Sequence, residues 1–301
     1  MKTYFDCIPC AIRQVLDSVR MVTEDEAVHE RVLRESLAMW ETMDLRQSPP
    51  AMARQIHRVV RRLTGVADPY LEVKNRYNRF ALAMYPDLRE RVAGSENPFE
   101  TAVRLAIAGN IIDFGVNSTV DERCVAETIA QALTDPIDSD AVRRLEKAVE
   151  RARDILYLGD NAGEIVFDRL LVERMPREKV TFVVKGGPIL NDVLIEDAQI
   201  AGLTDLVEVI DNGADAPGTV LEICSEAFRE RFERADLIVA KGQGNFETLS
   251  DTRKNAFFLL RPKCEVLSRH LNCEIGRLVV VQSGPALWDE LMEEERSFAD
   301  A

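Results

Sequence analysis

Three short stretches of the sequence place acids, amides and lysines directly after apolar runs, where open α/β sheets bind their ligands. The first stretch runs from Gly159 to Glu164 and begins with the pair Asp160 and Asn161. The other two, residues 185–192 and 241–247, each begin with a lysine followed by glycine. Taken alone, an Asp-Asn pair after a strand is typical of a turn or a helix cap. Because the carboxyl ends of parallel strands meet at one edge of a sheet, the three stretches together favour a ligand site.

The acids and amides in these stretches predict a site for a hard divalent cation. Asp160, Asn161 and Asp192 offer the carboxylate and amide oxygens that Mg²⁺ or Mn²⁺ prefers, and Co²⁺ or Ni²⁺ would also fit. Such an ion polarises a phosphoryl oxygen and activates water. We therefore predict that these three residues bind the metal and, with Lys241, form the catalytic centre, where Lys241 and Lys185 stabilise charge on a phosphoryl group. Whether water or an aspartate attacks phosphorus is left open.

The stretch from Lys241 to Asn245 has the pattern of an anion cradle. Its glycines free backbone N–H groups next to a helix start, although an ordinary glycine turn with an exposed lysine shows the same pattern. The residues predicted to bind substrate are Asn110, Asp113, Glu164, Lys185, Gly242 and Asn245. A nucleotide-binding oxidoreductase is disfavoured, because the loop at Gly159 lacks the G-x-G-x-x-G spacing and places a carboxylate where a pyrophosphate needs bare N–H groups.

Asn110 and Asp113 are the polar exceptions in an apolar helical segment. Their spacing of i and i+3 puts them on one helix face. A buried amide or carboxylate without a partner costs about 1–3 kcal/mol, so each needs either neighbouring backbone or a ligand or metal-bound water. We expect both to point across the junction toward Asp160. Two other polar residues, Arg76 and Asn78, which lie shortly after Asp68-Pro-Tyr70, are weaker candidates and are expected to be solvated.

Cys7 and Cys10 form a CxxC pair near the start of the chain. The pair could be a redox centre, half of a zinc site or the start of a helix. No second CxxC completes a four-cysteine site and no βαβ pattern surrounds this one, so we expect a structural role. Cys264 is the candidate for a third partner, because it follows the basic Lys263 close to a predicted strand end.

The elements that must position these residues change character near residue 150. Up to about Arg153 the periodicity is helical, with helices predicted after residue 23 and over 49–65, 73–84 and 98–114, and others starting at 120 and 139. Strands are then predicted at 155–158, 180–184, 207–210, 237–240, 257–260 and 278–281. The intervening helices are predicted at 165–175, 192–201, 219–235 and 264–271. This alternation predicts an α/β fold with a helical N-terminal part, residues 1–150, packed on a doubly wound, mostly parallel sheet domain, residues 151–301, that binds metal and phosphate.

Composition limits the partners that the protein can have. The chain of 301 residues carries 38 lysines and arginines against 52 acids, a formal charge of −14, which disfavours nucleic acid. No apolar run approaches the ~20 residues of a membrane span, and the first residues lack the apolar core of a signal peptide. The six cysteines are too dispersed for a disulfide scaffold. We therefore expect a cytoplasmic protein that binds neither nucleic acid nor membranes; its oligomeric state is not indicated.

Five motifs, taken in chain order, resemble the DUF89 proteins, also called damage-control phosphatases or the ARMT1-like metal-binding domain family. They are Asp68-Pro-Tyr70, residues 108–113, residues 159–164, Asn191-Asp192 and residues 241–247. The CxxC pair and Lys263-Cys264 resemble the prokaryotic branch of that family that carries a CxxC. The resemblance spans nearly the whole chain, and it implies a helical part packed on an α/β domain and metal-dependent phosphatase activity on small phosphometabolites such as sugar phosphates.

The same resemblance assigns roles to individual positions. It implies Asp160, Asn161 and Asp192 as the metal ligands. It also implies substrate-binding or supporting roles for Asn110, Asp113, Lys241 and Asn245. The alternative from a different class is a non-catalytic metal- or ligand-binding protein in which Cys7, Cys10 and Cys264 hold a soft metal. Metal content and ion-dependent phosphate release separate the two hypotheses.

Overall fold

A six-stranded sheet organises the computed structural model, which describes residues 1–112 and 122–284. The strand order is β3-β2-β1-β4-β5-β6; β1 to β5 are parallel and β6 is antiparallel to β5. The strands are β1 Ile155–Leu158, β2 Val180–Val184, β3 Glu208–Asp211, β4 Leu237–Lys241, β5 Ala256–Leu260 and β6 Val279–Gln282. Each lies within one residue of its predicted bounds, and the α/β fold with a mostly parallel sheet is confirmed.

The four central strands, β1, β2, β4 and β5, are buried at every residue because helices cover both faces of the sheet. Successive side chains of a strand point to opposite faces. In β1, Tyr157 therefore belongs to the core shared with the helices of one face, whereas Leu156 and Leu158 belong to the core of the other face. The sheet thus forms the middle layer between two hydrophobic cores, with its strand ends free to carry polar residues.

The described part of the chain contains twelve α-helices. Before the sheet they are α1 Cys7–Arg20, α2 Glu26–Thr42, α3 Pro49–Thr64, α4 Leu71–Ala93, α5 Pro98–Ala108, α6 Glu122–Thr134 and α7 Ser139–Arg151. Between and after the strands they are α8 Glu164–Val172, α9 Ile195–Ile200, α10 Glu226–Arg234, α11 Gly242–Leu249 and α12 Glu265–His270. None of these described helices combines the length and the apolar character that a membrane span requires.

Several helices differ from their predicted bounds, and in three of them the reason is local. The helix predicted over 219–235 starts only at Glu226, because Ser225 caps it by accepting a hydrogen bond from a backbone N–H. Helix α4 continues beyond residue 84 through Pro86, where Tyr85 donates a hydrogen bond to Glu173. The helix predicted over 98–114 gives way to a short 3₁₀ turn over 109–112, and its last two residues lie outside the described part.

Helices α1 to α3 pack around a hydrophobic core of their own, separate from the two cores of the sheet. Its buried residues are Val15, Val19, Val32, Ile56 and Val60. Asp215, in the segment after β3, joins these helices to the carboxyl edge of the sheet through ion pairs with Arg54 at 2.6 Å, Arg58 at 2.9 Å and Arg61 at 2.5 Å. Although burial raises the pKa of Asp215, its arginine partners hold it down at about 2. We call α1 to α3 the cap.

Candidate functional site

The candidate site lies where the winding of the sheet reverses. The chain proceeds from β1 to β2 and β3 on one side and returns to place β4 on the other side of β1. The carboxyl ends of β1 and β4 therefore flank the crevice where α/β sheets of this kind bind ligands. A cavity of about 450 Å³ opens at this edge, lined by Asp160, Asn161 and Asp192 on the sheet side and by α1 and α3 of the cap on the other.

Two loops hold the three predicted metal ligands in fixed relative positions. The backbone N–H of Val193 donates to the carbonyl oxygen of Asp160 at 2.8 Å, and that of Ala162 donates to Asn191 at 2.9 Å. Together they form a short antiparallel bridge between Asn161 and Asp192. The loop after β1 and the loop after β2 are thus linked backbone to backbone, which preorganises the side chains that they carry.

Amide groups orient the carboxylate of Asp160 from the protein side. The Nδ2 of Asn110 donates to Asp160 Oδ2 at 2.8 Å and to Glu164 Oε2 at 2.9 Å. The Nδ2 of Asn161 donates to the same two oxygens at 2.8 and 3.0 Å. The prediction that Asn110 points toward Asp160 is confirmed, whereas Asp113 lies outside the described residues. Glu164, expected at the substrate, instead occupies the fully buried centre of this network.

Lys241 is fully buried and does not line the cavity. Its Nζ donates to Glu164 Oε1 at 2.6 Å, to Asp168 Oδ1 at 2.6 Å and to the carbonyl oxygen of Ala106 at 2.8 Å. An ammonium group has three N–H donors, and all three are used within the protein. Burial alone would lower the pKa of Lys241, but Asp168 and Glu164 raise it above its usual value, so the group stays charged. This arrangement suits Lys241 to orienting Glu164 rather than to touching a substrate.

Sequence reasoning missed Asp168, the second carboxylate at Lys241. The residue lies one turn after Glu164 in the apolar helix α8, where both acids are fully buried. Tyr157 donates to its Oδ1 at 2.8 Å. Two acids at i and i+4 in an otherwise apolar helix could have indicated a buried basic partner, because buried charges need a partner.

Lys185 and Asn245, which were predicted to bind substrate, instead contact the loops of the site. Lys185 Nζ donates to the carbonyl oxygen of Gly218 at 2.6 Å and lies 3.5 Å from Asp192 Oδ2. The fully buried Asn245 donates from Nδ2 to the carbonyl oxygen of Lys241 at 2.8 Å. None of Lys185, Gly242 and Asn245 is among the described residues that line the cavity.

Gly242 shows why the turn after β4 must lack a side chain. Its φ of +76° is a left-handed conformation that favours glycine. A Cβ atom at this position would lie 1.8 Å from Oδ2 of Asp160. Gly242 therefore makes room for the carboxylate at the centre of the site.

Among the described residues that line the cavity Lys263 is the one lysine, and sequence reasoning noted it only as the neighbour of Cys264. Lys263 follows the carboxyl end of β5, a further parallel strand whose end lies at the same edge of the sheet. This position in the sequence could have indicated that Lys263 belongs to the site. Burial, followed by the charges of Glu164 and Asp192, raises the pKa of Asp160 well above its usual value, while Lys263 and Lys185 act in the opposite direction. The positive charge of Lys263 thus acts directly on the site.

The chemistry of the donor set fits a hard divalent cation. Asp160, Asn161 and Asp192 supply two carboxylates and an amide, the oxygen donors that Mg²⁺ and Mn²⁺ take from proteins. Repulsion within the carboxylate cluster, expressed in the raised pKa of Asp160, is what a bound cation would relieve. Residues 1–112 and 122–284 contain no cluster of three or more His, Cys, Asp or Glu side chains suited to holding an ion. The predicted donor set is not a cluster of that kind, because only two of its three members, Asp160 and Asp192, are of those residue types.

One expectation about the helical half was wrong. Asn78, expected to be solvated, is fully buried: its Oδ1 accepts from the N–H of Gly163 at 2.7 Å and its Nδ2 donates to Asp197 at 2.6 Å. It lies on the inner face of α4, one residue after the buried Tyr77. Arg76 is exposed, as expected. Asn78 therefore ties α4 to the start of α8, directly behind the site.

The sheet and the cavity define a doubly wound α/β protein with an acidic, lysine-bearing site at its topological switch point. The chain belongs to the family described as the damage-control phosphatase ARMT1-like domain, which matches residues 3–279. The family resemblance predicted from the motifs is therefore confirmed.

Relatives match over almost their whole length. The chain is 37% identical to a damage-control phosphatase of Archaeoglobus fulgidus, over 91% of this chain and 96% of the relative. It is 34% identical to damage-control phosphatase PH1575 of Pyrococcus horikoshii, over 94% and 99% of the two chains. The crystal structure of that DUF89 family protein superposes with a TM-score of 0.84 at 33% identity, covering 94% of this chain and all of the other.

Proposed function

We propose that the protein is a metal-dependent phosphatase that hydrolyses small phosphorylated metabolites of the sugar-phosphate kind. Two relatives that match nearly the whole chain carry the name damage-control phosphatase, which supports the reaction. The observation that carries the proposal is that Asp160, Asn161, Asp192 and Lys263 line one cavity at the switch point of the sheet.

Asp160, Asn161 and Asp192 would hold the divalent ion. When bound, the ion would supply the positive charge that a phosphoryl group requires during hydrolysis. The protein contributes the fixed geometry, because the linked loops and the amides of Asn110 and Asn161 determine where the carboxylate of Asp160 lies. Preorganised charges of this kind need no rearrangement when the substrate reacts.

Lys263 is assigned to the phosphoryl oxygens. It is a cation in the wall of the cavity, and its charge already acts on Asp160. Lys241 and Lys185 were predicted for this role, but neither is among the described residues that line the cavity. Under the present proposal, Lys241 positions Glu164, Lys185 positions Asp192, and Lys263 contacts the substrate.

The size of the cavity favours a small substrate. A volume of about 450 Å³ lies in the range of small-molecule sites, roughly 300–1,000 Å³. The cap closes one side of this space, which limits the size of the group that can enter. This supports a metabolite rather than a phosphorylated protein as the substrate.

The test is phosphate release from a panel of phosphorylated metabolites. Protein stripped by a chelator should release phosphate only after Mn²⁺, Mg²⁺, Co²⁺ or Ni²⁺ is restored. Lys263→Ala should lower kcat/KM by about 100-fold, the loss typical of removing one group that stabilises developing charge. Lys147→Ala, an exposed lysine of α7, is the matched control and should leave kcat/KM unchanged. Ion-independent hydrolysis, or full activity in Lys263→Ala, would contradict the proposal.

A further inference from the structure

Two buried side chains behind the site join the loops that carry the predicted metal ligands. Asn78 of α4 is fully buried, and its Oδ1 accepts a hydrogen bond from the backbone N–H of Gly163 at 2.7 Å. Its Nδ2 donates to Oδ1 of Asp197 at 2.6 Å. Oδ2 of Asp197 accepts from the backbone N–H of Leu194 at 2.9 Å. Gly163 belongs to the loop after β1 and Leu194 to the loop after β2, so the pair Asn78 and Asp197, which we call the clamp, spans both loops.

The clamp is attached at equivalent positions of the two loops. Gly163 follows the predicted ligand Asn161 by two residues, and Leu194 follows the predicted ligand Asp192 by two residues. Asn161 and Asp192 themselves form the short antiparallel bridge between the loops. The loops are thus joined once through their backbones and once through buried side chains. Two links fix both the separation and the relative rotation of the loops, whereas a single link would leave a pivot.

The carboxylate of the clamp is fully supported by its surroundings. Asp197 is buried, and Lys74 Nζ lies 3.7 Å from its Oδ2 and 2.8 Å from Oδ2 of Asp68. The side chain of Lys74 is itself only 2% exposed. A buried carboxylate is costly unless it is paired and hydrogen-bonded, and Asp197 has partners of both kinds. A polar network whose members are all satisfied is rigid, so the clamp can hold the loops in one arrangement.

Donors and acceptors alternate along the clamp. From Gly163 to Leu194 the order is backbone N–H, amide oxygen, amide N–H, carboxylate and backbone N–H. An exchange of amide for carboxylate at one of the two positions sets two donors or two acceptors against each other. An exchange at both positions restores the alternation and keeps the net charge. The clamp can therefore be broken and repaired with side chains of nearly the same shape.

We propose that the clamp fixes the spacing of the two loops and thereby makes the site of Asp160, Asn161 and Asp192 select a small divalent ion, Mg²⁺, over Ca²⁺. Mg²⁺ requires near-ideal octahedral geometry at about 2.0–2.1 Å and keeps several waters, whereas Ca²⁺ takes about 6–8 oxygens in flexible geometry at about 2.3–2.6 Å. Few protein ligands at a fixed spacing favour Mg²⁺, and loosening the loops removes that preference. Neither Asn78 nor Asp197 is among the described residues that line the cavity, so both are positioning residues. The inference rests on the proposed function, because it concerns the ion that the proposed reaction requires.

Calorimetric titration of ion-free protein with Mg²⁺ and with Ca²⁺ tests the clamp. Asp197→Asn should raise the Kd for Mg²⁺ by about 10–100-fold, the loss typical of removing a residue that orients a metal ligand. The Kd for Ca²⁺ should rise much less, so the ratio of the Ca²⁺ Kd to the Mg²⁺ Kd should fall. Asn78→Asp should have the same effects. The double variant Asn78→Asp with Asp197→Asn should recover both the Kd for Mg²⁺ and the ratio.

Tyr85→Phe is the matched control. It removes another hydrogen bond of helix α4 to the α8 segment, the one to Glu173, at the opposite end of α8 from Gly163. This variant should lower Tm and leave the Kd values for both ions unchanged. A weaker Mg²⁺ affinity in Tyr85→Phe would show that lost stability alone loosens the site, and it would overturn the proposal.

A measurement on the wild-type chain covers the case in which the single variants do not fold. Because coupling is reciprocal, bound Mg²⁺ should slow hydrogen exchange at the backbone N–H groups that the clamp holds. Mass spectrometry of peptides that contain Gly163 or Leu194 measures this exchange, with peptides around Glu173 as the reference.

The outcomes separate this inference from the proposed function. Exchange at Gly163 and Leu194 that Mg²⁺ does not change would overturn the inference. So would an unchanged Kd for Mg²⁺ or an unchanged ratio in folded Asp197→Asn, or a double variant that binds Mg²⁺ no better than the single variants. Wild-type protein that binds neither ion would overturn the proposed function, and this inference with it.

Discussion

Asp160→Asn separates a cation-binding role for Asp160 from a purely structural one. The substitution removes one negative charge and keeps the shape and one oxygen of the side chain. That oxygen can still accept hydrogen bonds from Asn110 and Asn161, so the loop geometry should survive. If Asp160 were only a helix cap, Asn would replace it almost without penalty. If it binds a cation, ion binding and phosphate release should both be lost.

The expected magnitudes follow from linkage and from the charge cluster. An ion at 100 times its Kd stabilises the folded protein by about 2.7 kcal/mol. For chains somewhat smaller than this one, 1 kcal/mol shifts Tm by roughly 2–4 °C, so wild type should gain about 5–10 °C. Asp160→Asn should gain nothing from the ion. Without ions its Tm should equal or exceed that of wild type, because repulsion from Glu164 and Asp192 is removed.

Thermal unfolding with and without Mn²⁺ or Mg²⁺, measured beside phosphate release, decides the question. Asp168→Asn is the matched control, since Asp168 is also buried, belongs to the same network and does not line the cavity. Its ion-induced Tm shift should persist. An Asp160→Asn protein that keeps the ion-induced Tm shift and phosphate release of wild type would refute the assignment of Asp160 as a metal ligand.

Three further perturbations test the surroundings of the site. Lys241→Met should lower the free energy of urea unfolding by about 3–5 kcal/mol, because it leaves the buried carboxylate of Glu164 without its ammonium partner. Gly242→Ala should reduce the ion-induced Tm shift, because the added Cβ collides with Asp160. Burial lowers the pKa of His57 from 6.5 to about 3, so the folded protein keeps it neutral; the stability this contributes is complete above pH 6.5 and is lost as pH falls toward 3. His57 should therefore make the free energy of urea unfolding about 2 kcal/mol larger at about pH 7 than at about pH 5. His57→Leu should remove that difference.

Each of these perturbations has a control or a contrary outcome. Gly284→Ala should be neutral, because no atom of residues 1–112 and 122–284 lies within 4 Å of the added Cβ. Equal stability of Lys241→Met and wild type would show that the charges around Glu164 are not balanced by Lys241. An unchanged pH dependence in His57→Leu would place the acid sensitivity elsewhere in the chain.

The strands and the edge that they share could be predicted because the signals are local. Runs such as residues 180–184 and 256–260 are apolar throughout, as strands covered on both faces must be. Polar residues that directly follow such runs lie at one edge of the sheet, whatever conformation the intervening loops adopt. The position of Asp160 beside Asp192 therefore followed from strand order and direction.

The different roles of the lysines could not be predicted in the same way. Lys241 ends β4 and Lys263 follows β5, and the sequence near each does not show which of the two side chains lines the cavity. The partners of Lys241 are Glu164 and Asp168, whose approach depends on how α8 packs over β1. The separate core of the cap was likewise hidden, because helical periodicity shows that a helix has an apolar face but not which neighbour covers that face.

The separate core of the cap makes this part of the molecule an exchangeable module. Helices α1 to α3 are contiguous in sequence, bury their own apolar faces against one another and supply one wall of the cavity. The donors of Asp160, Asn161 and Asp192 are held by loops that belong to the sheet. Transplanting residues 1–65 from a relative should therefore change which metabolite fits while leaving ion affinity intact, provided that the graft retains arginines facing Asp215. Under the proposed function, substrate choice and ion binding can thus diverge independently within one chain.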